Sequence, residues 1–194
     1  MVSRVDSAAA TRRALLDAAA TLLDLGGPEA VTLREVGARA GMTRGAPYRH
    51  FADKDSLLTA VATESWERIA DQVHTLRTDP TLSPPEKLRG ALHALIGVGR
   101  DQPHLYRMMC SPPAGDPAAA ERAADRSQEE CRGIVATLVG EQNSRHYGAL
   151  LLAGAHGIAG MELSGYLAAD KWHTTADEVI DTLVHMVTNA GAMT

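Results

Sequence analysis

The feature that most constrains the fold lies between Thr32 and Lys54, where two short helical signals meet at a glycine. Thr32-Leu33-Arg34-Glu35 is a capping box, with the Thr32 hydroxyl free to accept from the amide of residue 35 and the Glu35 carboxylate able to reach back to residue 32. A short helix from Leu33 to Ala40 follows. Gly41 allows the positive φ that a tight inter-helix turn demands, and Thr43 can cap a further helix beginning at Arg44. Gly37 has no side chain to keep that helix from crossing close over the first. Pro47 forfeits one early intrahelical bond where strain is least, and Phe51, the one Phe of the chain, makes a plug beneath the pair.

The rest of the chain continues the helical theme. Aromatics make up only 4% of the 194 residues, while Ala and Leu abound and β-branched residues are sparse, so the fold class expected is all-α. Leu15, Ala18, Ala19, Leu22 and Leu25 recur at helical spacing ahead of a stop at Gly26-Gly27-Pro28. Leu57, Leu58, Val61, Ser65, Ile69, Val73 and Leu76 trace one face of a long helix, about 35 Å from Lys54 to Leu76 at 1.5 Å per residue. Asp79 to Pro85 holds three prolines, and Ser83-Pro84-Pro85-Glu86 is a second capping box. Beyond it the spacing predicts helices through Leu88–Gly99, from Pro103 to Met109, from Asp116-Pro117 to Val139, and from Ser144 to Ala169. A last helix follows the capping box Thr175 to Glu178. The expectation is about nine helices in two lobes, a three-helix one over 1–55 and a helical one over 56–194.

Charge and composition narrow the function. The chain is 45% hydrophobic and 22% charged, which excludes wholesale disorder. The net charge is −5, yet Arg34, Arg39, Arg44, Arg49 and Lys54 face only Glu35 and Asp53 within their stretch, a basic segment on an acidic protein. Met1 to Arg13 mixes charges with small residues and reads as no secretory leader. Gly148 to Met161 carries no formal charge but is shorter than the roughly 20 residues a membrane-spanning helix needs, and it reads as a buried helix. Cys110 and Cys131 form no C-x-x-C pair, and a reduced cytoplasmic pair acting as small hydrophobes is the reading adopted, with a redox sensor as the lesser alternative. His93, His104, His146, His156, His173 and His185 have no metal-like spacing. No nucleophile elbow, P-loop or dinucleotide fingerprint is present, so no catalytic residue, cofactor or metal is expected.

Two short helices about a glycine turn, the second rich in Arg, form a helix-turn-helix, whose second helix presents its N-terminal side chains to base edges in the major groove. Arg44 can make a bidentate contact to guanine. Tyr48 and His50 can reach phosphate or a thymine methyl, and Lys54 can neutralise backbone charge. Thr43 and Arg49 complete the candidate surface. Residues 32 to 58, and within them the Ala-Gly, Tyr-Arg-His-Phe and following Lys elements, resemble the DNA-binding segment of TetR-type bacterial transcriptional regulators. Gly37, Met42 and Thr43 stand where that family commonly has Ala, Val and Ser. The resemblance implies that Thr32, Tyr48, His50 and Lys54 hold phosphates of a double-stranded operator while Arg44, Gly45 and Tyr48 face bases. Further on, His156-Gly157, Glu162 and Gly165 resemble a TetR C-terminal subgroup with a Trp-His-Gly signature, with Ala155 where the Trp would stand.

Two further surfaces are expected in the second lobe. Trp66, Leu92, Ile96, Tyr106, Met109, Cys110 and Leu151 offer adaptable apolar surface for a small effector. At 100° per residue, Ala153, Gly157, Gly160 and Ser164 line up as a stripe of small side chains. It reads either as intrachain packing or, the reading preferred, as a homodimer seam shared with Leu183 and Val187. The function expected is a cytoplasmic, non-enzymatic repressor released from its operator by a small apolar or aromatic molecule. In that scheme the helix from Lys54 to Leu76 acts as a lever. An activator of the same fold and a helical adaptor without DNA binding are the alternatives.

Overall fold

The structure, a computed structural model, describes residues 4–110 and 115–192, so the first half of the loop expected over Ser111–Pro117 lies outside the described residues. Among the described residues there is no strand. The order is α1 (Arg4–Ala30), α2 (Leu33–Arg39), a 3₁₀ turn (Pro47–Arg49), α3 (Lys54–Thr78), α4 (Pro84–Asp101), α5 (Pro103–Met109), α6 (Pro117–Val139), α7 (Glu141–Leu163), α8 (Ala169–Trp172) and α9 (Ala176–Ala192). The fold class is all-α. The chain divides into two compact units, Met1–Ser65 with His104–Glu121, and Trp66–Pro103 with Arg122–Thr194.

In the first unit, α1 buries Leu15, Leu16, Ala18, Ala19 and Leu23. Leu25, expected in that stripe, is 73% exposed, because two residues at 100° each carry it to the far side of the helix from Leu23. The stop expected at Gly26-Gly27-Pro28 is a kink: Gly26 and Gly27 leave helical geometry and the chain resumes its helix to Ala30. Gly27 also has a neighbour, since a Cβ there would sit 3.0 Å from the His104 ring of α5. Val31, Val36 and Phe51 close the core, and the Arg12 guanidinium lies 5.3 Å over the Phe51 ring.

In the second unit α4 packs on α7 and α9, and α7 packs on α9. Leu88, Ile96, Leu151, Ala155, Ile180 and Val184 are buried among them, where apolar faces removed from water supply the stabilisation. Both capping boxes expected in this unit are present. The Ser83 amide and hydroxyl donate to Glu86 at 2.8 and 2.5 Å, and Thr175 and Glu178 exchange amide-to-side-chain bonds at 2.8 and 3.2 Å. Arg100 of α4 reaches both Glu162 of α7, at 2.9 Å, and Asp177 of α9, at 2.7 Å. The helix expected over Ser144–Ala169 begins and ends earlier. Gly140 and Gly165, at φ +78° and +72°, bracket it, and a left-handed residue at Gly165 is a helix stop that only glycine adopts freely. Ala155, not Gly157, lies at 1% exposure inside the unit.

Candidate functional site

The surface built by residues 32–54 begins with α2. Thr32 caps it by accepting from the Glu35 amide at 3.1 Å, and Ala40 and Met42 close its last turn on the carbonyls of Val36 and Gly37. Gly41 then turns the chain at φ +67°. The helix expected from Arg44 under a Thr43 cap is replaced by turns from Arg44 and a single 3₁₀ turn, Pro47–Arg49, whose cap position is Ala46 with no side-chain cap bond. The reason is local. Pro47 has no N–H to give to the Thr43 carbonyl, and Gly45 is a poor helix former, so Ala46 bonds back to Thr43 at 3.0 Å in the tighter pattern. The close approach expected at Gly37 is present, since a Cβ there would lie 2.8 Å from the Pro47 ring.

This arrangement turns Thr32, Thr43, Arg44, Gly45, Tyr48 and Arg49 to solvent and leaves His50 and Lys54 half-buried, while Pro47 and Phe51 are buried beneath them. Tyr48 keeps 59% of its surface exposed. Arg44, Gly45 and Tyr48 line one shallow depression together with Arg34 of α2. Arg34 belonged to the basic stretch in the sequence but only the fold brings it beside Arg44. A second contribution missed at the sequence level is the cap of α3. Asp53 accepts from the Ser56 amide at 2.7 Å while its own amide donates to the Ser56 hydroxyl at 3.1 Å, a reciprocal box that holds the start of the helix carrying Lys54. Those bonds from Ser56, the backbone amide foremost, hold the Asp53 carboxyl below the ordinary carboxylate range. Its signal was available as Asp-x-x-Ser ahead of Leu57.

The second unit contains a cavity of about 230 Å³ formed by α3, α4, α6 and α7. Trp66, Ile69 and Val73 come from α3, Leu92 and Leu95 from α4, and Cys131 from α6. Burial pushes the Cys131 thiol up to about 11, so it is a neutral, poorly nucleophilic wall. At the rim, Arg132 donates to Glu129 at 2.9 Å, to Glu141 at 2.5 Å and to the Ser144 hydroxyl at 3.1 Å, whereas Arg145 also borders the opening.

Of the residues expected around an effector, the structure brings Trp66 and Leu92 into this lining. Ile96 and Leu151 are fully buried in the helix packing and outside it. Tyr106, Met109 and Cys110 fall in the first unit, because the helical run of α4 breaks at Gln102 and α5 packs elsewhere, with Leu105 and Tyr106 in its buried face. On α7, Ala153, Gly157, Gly160 and Ser164 are exposed, and a Cβ on Gly157 or Gly160 would meet nothing within 4 Å. The glycine that lets α7 approach α9 is Gly154, where a Cβ would lie 2.9 Å from Leu183. Val187 is buried and Leu183 half-buried within the unit. No cluster of three metal-ligating side chains occurs among the described residues, and no described helix is long and apolar enough to cross a membrane.

A short capped helix, a glycine turn and a following turn that lifts Arg and Tyr into solvent define a helix-turn-helix protein. Residues 15–61 match the sequence model of the bacterial regulatory proteins of the tetR family, and residues 88–187 match that of the tetracyclin repressor-like C-terminal domain. The chain belongs to the tetR family of bacterial regulatory proteins. The C-terminal match lends no support to the Trp-His-Gly subgroup. Among curated relatives, the chain is 43% identical over 65 residues to the HTH-type transcriptional repressor Rv1474c of Mycobacterium tuberculosis, covering 34% of this chain and 35% of that one. It is 32% identical over 98 residues to the repressor KstR of Rhodococcus jostii, covering 50% and 45%. The matches therefore span less than half of either relative. A transcriptional regulator from Rhodococcus sp. Rha1 has the same fold, with a TM-score of 0.72 at 20% identity over 92% of this chain and 96% of that one.

Proposed function

We propose that this protein is a transcriptional repressor that binds a double-stranded operator as a homodimer and releases it when a small molecule enters the cavity of the second unit. The observation that carries the reading is the solvent-facing group of Arg34, Arg44, Gly45 and Tyr48 on the helix-turn-helix. In it Arg44 and Tyr48 reach base edges, Gly45 lets the backbone come close, and Thr32, Thr43, Arg49, His50 and Lys54 engage phosphates. The division of labour follows the two units, DNA in the first and effector and dimerisation in the second. Two copies meet through the exposed stripe of Ala153, Gly157, Gly160 and Ser164, with the exposed Met186 and the half-buried Leu183 of α9 beside it. The effector lies against Trp66 and Leu92 and acts along α3, the one helix that carries both Trp66 and Lys54. The protein works without catalysis, in the cytoplasm.

The test is selection of bound duplexes from a random pool by the purified full chain. The expected outcome is an inverted repeat whose half-sites lie about one helical turn apart, roughly 34–36 Å, as two symmetry-related readers require. A pool that stays random at low salt overturns the reading.

A further inference from the structure

The floor and the rim of the second-unit cavity together decide what kind of molecule it takes. Its floor is apolar, built from Trp66, Ile69, Leu92 and Leu95, which also belong to the buried core. Its rim holds two guanidinium groups with different circumstances. Arg132 is already committed, with Glu129 and Glu141 carboxylates on its nitrogens at 2.9 and 2.5 Å and the buried Ser144 hydroxyl beside them. Arg145 borders the same opening, is exposed, and makes no hydrogen bond or ion pair among the described residues. The one acid within helical reach of it on the preceding turn, Glu141, is taken by Arg132. Arg145, a rim cation that makes no bond of its own among the described residues, suits a molecule with an apolar body and an anionic end.

We propose that the cavity binds a small amphipathic monocarboxylate, its hydrocarbon or aromatic body against Trp66 and Leu92 and its carboxylate on Arg145. The proposal rests on the reading of this cavity as the effector site. Size agrees with the chemistry, since a cavity of about 230 Å³ has room for a medium-chain acid or a single-ring aryl acid. Arg132 does not compete for the acid, because its two carboxylate partners repel a third. The neutral Cys131 thiol adds apolar wall and no charge.

Titration calorimetry with octanoate, octanol and phenylacetate on the full chain and on Arg145→Gln tests this, alongside operator binding by the same preparations. Octanoate is expected to bind about tenfold or more tighter than octanol, as a charge-assisted bond requires, and Arg145→Gln is expected to erase that difference while leaving octanol binding unchanged. Equal affinity for octanoate and octanol, or octanoate binding unaffected by Arg145→Gln, overturns the anionic end and leaves an apolar effector site. Absence of binding by all three compounds overturns the proposal, and operator binding that persists there shows that the regulator reading stands apart from it. Arg145 is exposed and makes no bond among the described residues, so its variant is expected to keep the fold; Arg145→Lys, which keeps the charge, is expected to restore at least part of the preference.

Discussion

The two units present their functional side chains to solvent in opposite ways. In the first, Arg44, Tyr48 and Arg49 stand on a turn with water around them, and the residues that hold the turn, Gly37, Pro47 and Phe51, lie beneath and are different residues. In the second, Trp66, Leu92 and Leu95 both line the cavity and belong to the packed interior, at 7%, 4% and 6% exposure. Reading and holding are separated in one unit and merged in the other. On the proposed function, a substitution in the turn should change DNA binding alone, whereas one around the cavity should change stability and ligand response together.

The largest expected effect falls on the merged side. Trp66→Ala removes a buried ring and enlarges a hollow already present, and it should cost about 3 kcal/mol of unfolding free energy, the low end for such truncations because the ring already borders empty space. Denaturant titration measures it, and ligand response should vanish with it. A variant of unchanged stability would mean that lining and core are separable here as well. Next comes the separated side. Arg44→Ala should lose roughly 1–3 kcal/mol of operator affinity at one base position per half-site with an unchanged melting temperature, while Lys54→Ala should weaken all duplexes alike and lower the salt slope by about one. Anisotropy titrations at several salt concentrations, with a thermal scan of each variant, separate the two; a falling melting temperature in Arg44→Ala would break the contrast.

The exposed stripe of α7 makes the second unit a case of its own, because it offers a surface that does not hold the fold. Gly157→Leu adds a side chain where a Cβ meets nothing within the chain, so the protomer should stay folded while the dimer weakens and operator affinity falls about tenfold. Sedimentation reads the first and DNA titration the second, and a tight dimer of normal affinity would move the seam elsewhere. The smallest effect is acid lability. Glu130, Asp177 and Glu178 of the second unit are all held below their ordinary values. Bonds from Arg77 and His74 outweigh burial at Glu130, the Arg100 guanidinium acts on Asp177, and the Thr175 amide acts on Glu178. A carboxylate lowered in the folded state lends stability above its unfolded value, here 3.8 or 4.5, and loses it as the pH falls through the folded one. Among the carboxylates of the first unit, Asp53 shows the same lowering. Segment-resolved hydrogen exchange at pH 7 and at about pH 3 should show the second unit opening first; protection lost uniformly would contradict it.

What the sequence determined by itself is whatever short-range chemistry controls. The capping box at Ser83, the one at Thr175, the turn at Gly41 and the exposure of Arg44 and Tyr48 all depend on residues within a few positions of one another, and each is found. The same short range explains a local failure, since the chemistry that cuts the second helix of the motif to a 3₁₀ turn, Gly45 and Pro47, was present in the sequence but outweighed there by the Thr43 cap. Tertiary structure alone decided the rest. Arg34 joins Arg44 only when α2 and the turn fold together, and Tyr106, Met109 and Cys110 part from Trp66 because a break at Gln102 sends α5 into the other unit. The cavity is assembled by α3, α4, α6 and α7 across residues 66 to 155, and periodicity tells which face of a helix is apolar but not which helices meet around a space. Nor does periodicity separate a stripe covered within its own chain from one left exposed: Gly154 and Gly157 are alike in sequence, and only the packing of Leu183 against the first tells them apart.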